Sequence, residues 1–435
     1  MKDDISGIDK PKRDSLLSTL RMLFYTTASS DFVRKISETF ATRLSIIGIG
    51  LITTVVIARI LGPEGRGLYA TAVAIGTIGV QFGNLGLHAS NTYFVAKNRE
   101  LLPTLISNTL FVSFLFGGIG AFLAYILFSL WPNLAPVRGF LLILALAWIP
   151  FGLAYLLLQN LLLGIQEVRA YNKIELTNQL FAISMIALMI LMRLVRIEIV
   201  FAAGLIALIT SFLYTLRKLG KHINSFPAPS VSLFRENINY GIKAYLAAFF
   251  AFLVLRVDLL MVKYMLGAEQ AGYYSIAVTM ADMICLLPVV IGTILFPKLS
   301  AMSSMSEKLD FSKKTAVVIG GILVIIAGIA ALLSGPIVKL LFGDIFAPAV
   351  PAFVWLMPGI VFLGIQVVAV QFLNSIGIPK AVVFIWGFSS LLNIVLNLRA
   401  IPQYGIIGAS IVSSLSYFIV FVLILLVIQR VVPKS

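Results

Sequence analysis

Apolar residues fill the chain in about twelve blocks. Each is long enough to cross a bilayer, which takes roughly 20 apolar residues at 1.5 Å rise per residue. The blocks fall at about 40–61, 68–95, 104–130, 139–163, 174–193, 197–216, 241–264, 273–297, 315–335, 349–373, 380–399 and 405–429. The polar stretches between them are short. The longest on one side runs from Gly220 to about Tyr240 and holds Pro227 and Pro229. The pattern therefore predicts an all-α polytopic membrane protein with about twelve transmembrane helices in two six-helix lobes. Residues 1–35 read as a cytosolic N-terminal segment, 36–219 as the N-lobe, 220–240 as a cytosolic inter-lobe linker and 241–435 as the C-lobe. In the N-terminal segment, Leu16, Leu17, Leu20, Leu23 and Phe24 would suit a short helix along the membrane surface.

The division into two lobes rests on a repeat. Leu61-Gly62-Pro63-Glu64-Gly65-Arg66-Gly67-Leu68-Tyr69-Ala70-Thr71-Ala72-Val73 returns 205 positions later as Leu266-Gly267-Ala268-Glu269-Gln270-Ala271-Gly272-Tyr273-Tyr274-Ser275-Ile276-Ala277-Val278. Seven of the thirteen positions are identical, without a gap. Such internal repeats are a common plan of secondary transporters. With six spans per lobe the two copies enter the membrane in the same sense, so the predicted relation is a parallel repeat about an axis along the membrane normal.

Composition narrows the class. Hydrophobic residues make up 60% of the chain and charged residues 12%, and mean hydropathy is +1.03. A soluble domain carries about a quarter charged residues. The net charge of +15 reads as the lysine and arginine excess of cytoplasmic loops, since no cluster of basic and aromatic residues resembles a nucleic-acid surface. With the N-terminus inside, 23 Lys and Arg fall on inner segments and 8, Arg66 among them, on outer ones. This predicts a plasma (inner) membrane protein with both termini cytoplasmic. The single cysteine, Cys285, excludes an intrachain disulfide, and with His88 and His222 as the only histidines a Cys/His metal site is not expected. The charged first residues are not expected to be a signal peptide, and no Gly-rich loop leads into Lys-Ser/Thr. The acids on the outer side are Glu64, Glu198, Glu269 and Asp344, scattered over separate short loops, which argues against an enzyme.

Candidate chemistry lies inside the spans, where an ionisable group costs about 2.5–3.5 kcal/mol by insertion scales and usually faces protein or a wet cavity. Arg43 falls in span one, Arg256 and Asp258 in span seven, Asp282 in span eight. Residues two apart on a helix do not face each other, so Asp282 is the expected partner of Arg256. Two readings stay open: an ion pair tying spans seven and eight, or a charged cavity wall. In span two, Thr77, Gln81, Asn84, His88 and Asn91 are spaced 4, 3, 4 and 3 apart. On one helix they fall within about 80° of arc, as expected of an aqueous lumen. Polar residues also punctuate span five (Asn178, Gln179), span ten (Gln366, Gln371, Asn374) and span eleven (Asn393, Asn397). They suit a glycan path and equally suit helix-to-helix hydrogen bonding. Close helix contacts are expected at Gly48, Gly50, Gly117, Gly118, Gly120, Gly320 and Gly321. Pro150, Pro288 and Pro358 are expected to kink their spans.

The segment Arg59 to Ala72 resembles the first inter-helix signature of the bacterial and archaeal oligosaccharide-lipid flippases, the Wzx-like polysaccharide biosynthesis proteins of the multidrug/oligosaccharidyl-lipid/polysaccharide exporter superfamily. Arg256-Val257-Asp258, Leu266-Gly267, Gly272 to Ala277 and Leu295 to Ser300 continue the resemblance in the second half. It implies the two-lobed fold shared with multidrug exporters. It also implies a polyprenyl-pyrophosphate-linked oligosaccharide as substrate, moved from the cytoplasmic to the outer leaflet for cell-surface polysaccharide biosynthesis. A lipid II flippase of the superfamily usually has fourteen spans, which favours another lipid-linked glycan here. Family members have a cationic lumen, for which Arg43 and Arg256 are this chain's candidates. Asp258 and Asp282 could offset them or bind a coupling H+ or Na+. No other cofactor is expected. Expected partners are membrane lipids and a glycan polymerase or other surface-polysaccharide assembly proteins. The alternatives are a cation-coupled multidrug antiporter of the same fold and a non-transporting scaffold for a glycan assembly complex.

Overall fold

The computed structural model describes residues 30–431 except Asn224, Phe226, Ile378 and Pro379, with side chains described from Thr42 onward apart from Arg43. The expected surface helix around Leu16 and the Arg43 side chain lie outside the described residues. Every regular element among the described residues is helical. In chain order these are α1 (Ser30–Asn84), α2 (Leu87–Lys97), α3 (Leu102–Phe111), α4 (Gly117–Leu130), α5 (Gly139–Gly164), α6 (Val168–Leu191), α7 (Ile197–Gly220), α8 (Val231–Leu266), α9 (Ala268–Ala301), α10 (Met305–Phe342), α11 (Ala349–Ser375) and α12 (Lys380–Val431). A π-helical turn, Val112–Phe116, joins α3 to α4.

Ten helices among the described residues are long and apolar enough to cross a membrane. Two of them are too long to be single spans. α12 has 52 residues, about 78 Å as a straight helix, more than twice the ~30 Å hydrocarbon core. It is broken at Gly405 (φ 61°, ψ −146°), and α1 is broken at Gly62 (φ 66°, ψ −177°). The expectation of about twelve spans counts the halves of α1 and α12 separately. Gly267, the repeat equivalent of Gly62, takes nearly the same backbone (φ 95°, ψ 179°) between α8 and α9. That region is open only to glycine. The repeated Leu-Gly is therefore the turn that ends one helix and starts the next with no intervening loop.

The prolines at 150, 288 and 358 lie inside α5, α9 and α11, and the non-helical positions inside α1 and α12 are Gly62 and Gly405. Span two differs from expectation. It is interrupted where Leu85 (φ 47°) and Gly86 (φ 80°) both turn left-handed, so its inner end becomes the separate helix α2. The second half shows no such break, since α9 runs on from Ala268 to Ala301. The stretch 220–240, expected as the linker, is helical from Val231 on. Helix α8 starts at Val231, where the Ser230 hydroxyl accepts a hydrogen bond from the Leu233 amide.

Two sets of buried side chains form the core. One gathers Val254, Tyr274, Phe353, Phe372, Trp386 and Val420 from α8 to α12. The other is a series of clusters across α1 to α7, such as Leu105, Leu158 and Phe212, and Ala145, Ile149 and Phe201. The halves are not cleanly separated. Ala58 of α1 packs in the second-half core, and Leu233, Phe234 and Ile238 at the start of α8 pack on first-half helices. Outward, Phe122 and Leu123 of α4 and Val317, Val324, Ile325 and Leu332 of α10 are exposed. A water-facing surface so apolar would be a liability, and a multi-pass membrane protein needs it.

Candidate functional site

The two halves touch near both ends of the bundle. At one end the repeated signatures pack on each other. A methyl group added at Gly67 would stand 1.7 Å from the Ala268 carbonyl oxygen, and one added at Gly272 would stand 1.9 Å from that of Pro63. Pro63 and Ala268 are themselves repeat equivalents, so the contact is reciprocal, as at a two-fold axis. Around it, Arg66 donates from Nε to Ser275 Oγ (3.2 Å) and from Nη2 to Thr279 Oγ1 (3.5 Å). Arg59 donates to the carbonyls of Leu341 and Leu340 (2.7 and 2.6 Å), two acceptors left free where α10 ends. The Tyr264 hydroxyl donates to the Leu134 carbonyl.

Arg66 was expected in an outer loop. It is 7% exposed and lies between the halves, with its guanidinium 5.8 Å from the centre of the Tyr69 ring. The signal that could have found it is in the repeat: the position equivalent to Arg66 is Ala271, also buried.

At the other end α8 closes on α1 and α2. Here Gly86 and Gly241 meet backbone to backbone, a methyl group at either falling within 2.7 Å of the other's carbonyl oxygen. Asn237 donates to Asn91 Oδ1 (3.1 Å), and Asn91 donates to Thr109 (3.1 Å). Asn108 pairs with the backbone of Ser230 through two bonds, 3.0 and 2.7 Å. The Tyr245 hydroxyl donates to the Gln81 carbonyl (2.7 Å). The Tyr93 and Tyr240 rings stack at 4.3 Å.

A cavity of about 420 Å³ lies nearer this second end, lined by His88 of α2, by one face of α8 (Ala244, Ala248, Leu255), by Gln366, Gln371 and Asn374 of α11, and by Trp386 of α12. The span-two stripe does not line it as a unit. The arc of about 80° holds only for an unbroken helix, and the Leu85–Gly86 break separates Thr77, Gln81 and Asn84 from His88 and Asn91. His88 reaches the cavity. Asn84 is buried and caps the broken end, its Oδ1 accepting from the His88 backbone N (3.2 Å) and lying 3.0 Å from His88 Nδ1. Thr77 donates back to the Val73 carbonyl.

The charged residues of span seven separate. Arg256 Nη2 donates to Asp282 Oδ2 at 2.9 Å, with side chains 36% and 39% exposed. Asp258 points into the second-half core at 2% exposure. Its Oδ2 accepts from Tyr274 Oη (2.5 Å) and Ser413 Oγ (2.9 Å), and its Oδ1 from the Leu259 amide (2.7 Å). On α12, Asn397 donates to Asn393 and Asn393 to Ser416, so these two asparagines join helical segments rather than face a lumen. Among the described residues no three His, Cys, Asp or Glu side chains come together as a metal site. Of the glycines expected at close contacts, Gly117 and Gly320 meet neighbours, whereas Gly48, Gly50, Gly118, Gly120 and Gly321 face open space.

The chain is 17% identical to the lipid II flippase MurJ in an inward closed conformation, covering 90% of this chain and 87% of that one at a TM-score of 0.74. It is 14% identical to an inward-facing multidrug resistance MATE family transporter, covering 90% and 97%, at a TM-score of 0.71. Identities this low carry the fold alone, which is the two-lobed fold of these transporters. An uncharacterized membrane protein of Methanocaldococcus jannaschii is 26% identical over 197 residues, 44% of this chain; the match spans 39% of that relative's length. The model of the family described as polysaccharide biosynthesis protein matches residues 32–303. The chain, a multi-pass membrane protein with a transporter fold, belongs to the polysaccharide biosynthesis protein family.

Proposed function

We propose that this protein is a flippase that carries a polyprenyl-pyrophosphate-linked oligosaccharide from the cytoplasmic to the outer leaflet by alternating access, for cell-surface polysaccharide biosynthesis. The observation that carries the reading is a cavity held between two contacts of different make, in a chain of this family. One contact is the reciprocal Gly67–Gly272 approach. The other is the hydrogen-bonded seam of α8 on α1 and α2. The charge bias along the chain supports an orientation with the Gly67 end at the outer face and the Gly86 end at the cytoplasm. Opening one seam while the other holds would expose the cavity to each side in turn, with the lipid tail remaining in the bilayer.

Arg256 would meet the pyrophosphate. Its bond to Asp282 uses Nη2, and a guanidinium has five N–H donors, so Nε and Nη1 remain for a phosphate oxygen. Arg43 would add a second positive charge. Asp258 is the better candidate than Asp282 for a coupling H+ or Na+, because Asp282 is already neutralised by Arg256 whereas Asp258 has hydroxyl and amide partners only. A binding event at Asp258 drives the cycle only if its affinity differs between the two states.

A cation-coupled drug antiporter would want an unpaired carboxylate at the cavity; the described lining has none and Asp282 is paired with Arg256. A scaffold would need no cavity between two seams. The test is transbilayer movement of a fluorescent polyprenyl-pyrophosphate oligosaccharide in proteoliposomes, beside Arg256→Ala. Movement by the wild type and a loss of at least tenfold in the variant are expected. A wild type that moves no lipid-linked glycan but drives efflux of organic cations contradicts the proposal.

A further inference from the structure

The polar groups of span two are largely occupied by the protein itself. Thr77 bonds its own helix, Asn84 caps α2, and Asn91 sits between Thr109 and Asn237. The opposite wall of the cavity is different. Gln366 of α11 is 3% exposed, lines the cavity, and has no hydrogen-bond partner among the described residues. Buried side-chain amides nearly always have partners. One face of α11 continues the row with Gln371 and Asn374, which bond each other through Asn374 Nδ2 and Gln371 Oε1 (3.2 Å), leaving the Gln371 NH2 and the Asn374 oxygen for a ligand. Trp386 and the alanines of α8 supply apolar wall.

We propose that this cavity is the glycan subsite, taking one or two uncharged sugar rings whose hydroxyls bond Gln366, Gln371 and Asn374. The inference rests on the flippase reading. Three features of the cavity select this ligand class. A primary amide offers two donors and an acceptor, and a sugar hydroxyl offers both roles, so the two satisfy each other. A phosphate would bring charge to a wall whose described residues include no Lys or Arg, which costs dearly without a partner. A lipid tail would leave the amides unpaired. The volume of about 420 Å³ is at the small end of ligand sites, which span about 300–1,000 Å³. It holds part of an oligosaccharide, and the pyrophosphate must then lie outside it, toward Arg256. Discrimination among glycans would thus sit on α11, apart from the charged groups.

The test uses Gln366→Leu, which keeps the volume and removes the amide, with a panel of fluorescent polyprenyl-pyrophosphate di- and trisaccharides of hexose and N-acetylhexosamine. Loss of hydrogen bonds to neutral groups predicts about a tenfold slower movement of the preferred glycan lipid, with a changed order of preference across the panel. A second readout needs no transport: the same soluble oligosaccharides, without lipid, quench tryptophan emission of the wild type, quench Gln366→Leu less, and lose the Trp386 component in Trp386→Phe. Wild-type transport with Gln366→Leu matching it in rate and preference overturns the subsite and leaves water as the occupant. A wild type that moves none of the panel fails the flippase reading itself, and quenching absent in every protein then removes the sugar site as well.

Discussion

Gly67→Ala lowers transport about 5- to 150-fold while the protein stays folded in the membrane. The added methyl group would stand 1.7 Å from the Ala268 carbonyl oxygen, and the obstacle is backbone rather than a side chain that can rotate away. Overpacking of this kind costs about 1–3 kcal/mol, a cost that falls on the state in which α1 and α9 meet and on no other. The expected state is therefore one with the Gly67 end held apart. Ser275, now buried beside Arg66, reports it. In a Cys285→Ala background, where no native cysteine remains, a Ser275→Cys thiol should react with a membrane-impermeant maleimide in Gly67→Ala and stay protected without it. Gly272→Ala should behave the same way, because the contact is reciprocal. Wild-type transport with a protected thiol in both would remove this contact from the cycle.

Asp258 should show two separable effects. Asp258→Ala leaves the Tyr274 and Ser413 hydroxyls without their acceptor, whereas the Leu259 amide, inside α8, keeps its helical carbonyl partner. Each orphaned buried group costs about 1–3 kcal/mol, so the two together predict a loss of about 2–6 kcal/mol, read as a large drop in melting temperature in detergent. Asp258→Asn keeps the oxygen that Tyr274 and Ser413 use and presents its NH2 to the Leu259 amide, for a smaller loss of about 1–2 kcal/mol. If Asp258 binds the coupling cation, Asp258→Asn also abolishes the dependence of transport on a proton or sodium gradient. A stable Asp258→Asn protein with gradient-driven transport intact would make the carboxylate a structural tie between α8, α9 and α12.

The sequence carried the membrane class, the helical spans and the turn at the repeated Leu-Gly, because hydrophobic length and glycine at a left-handed position are local properties. The Arg256–Asp282 pair was also legible, since spacing ruled out Asp258 as a facing partner and left Asp282. Contacts between halves were harder. A repeat says that Gly67 and Gly272 are equivalent, and the fold was needed to show that they touch. Arg66 was counted with the outer loops because charge alone cannot distinguish a solvated arginine from one sealed between helices. The span-two stripe failed for another reason: helical periodicity assigns a face only while the helix is continuous, and Leu85 and Gly86 break it without a proline to announce the break. Gln366 looked like one amide among several, and only the pattern of satisfied neighbours set it apart. Glycines such as Gly48 and Gly118 looked like packing sites, yet a methyl group added at either would meet only open space.

The most direct test of alternating access is to lock each seam in turn. In the Cys285→Ala background, Arg66→Cys with Ser275→Cys joins the Gly67 end, and Tyr93→Cys with Tyr240→Cys joins the Gly86 end; a short reducible thiol cross-linker closes each pair. Transport of the lipid-linked oligosaccharide in proteoliposomes is then measured before cross-linking, after it, and after reduction. The account predicts that either lock stops transport and that reduction restores it. Transport that continues at the unlocked rate with either seam cross-linked would contradict alternating access through this cavity.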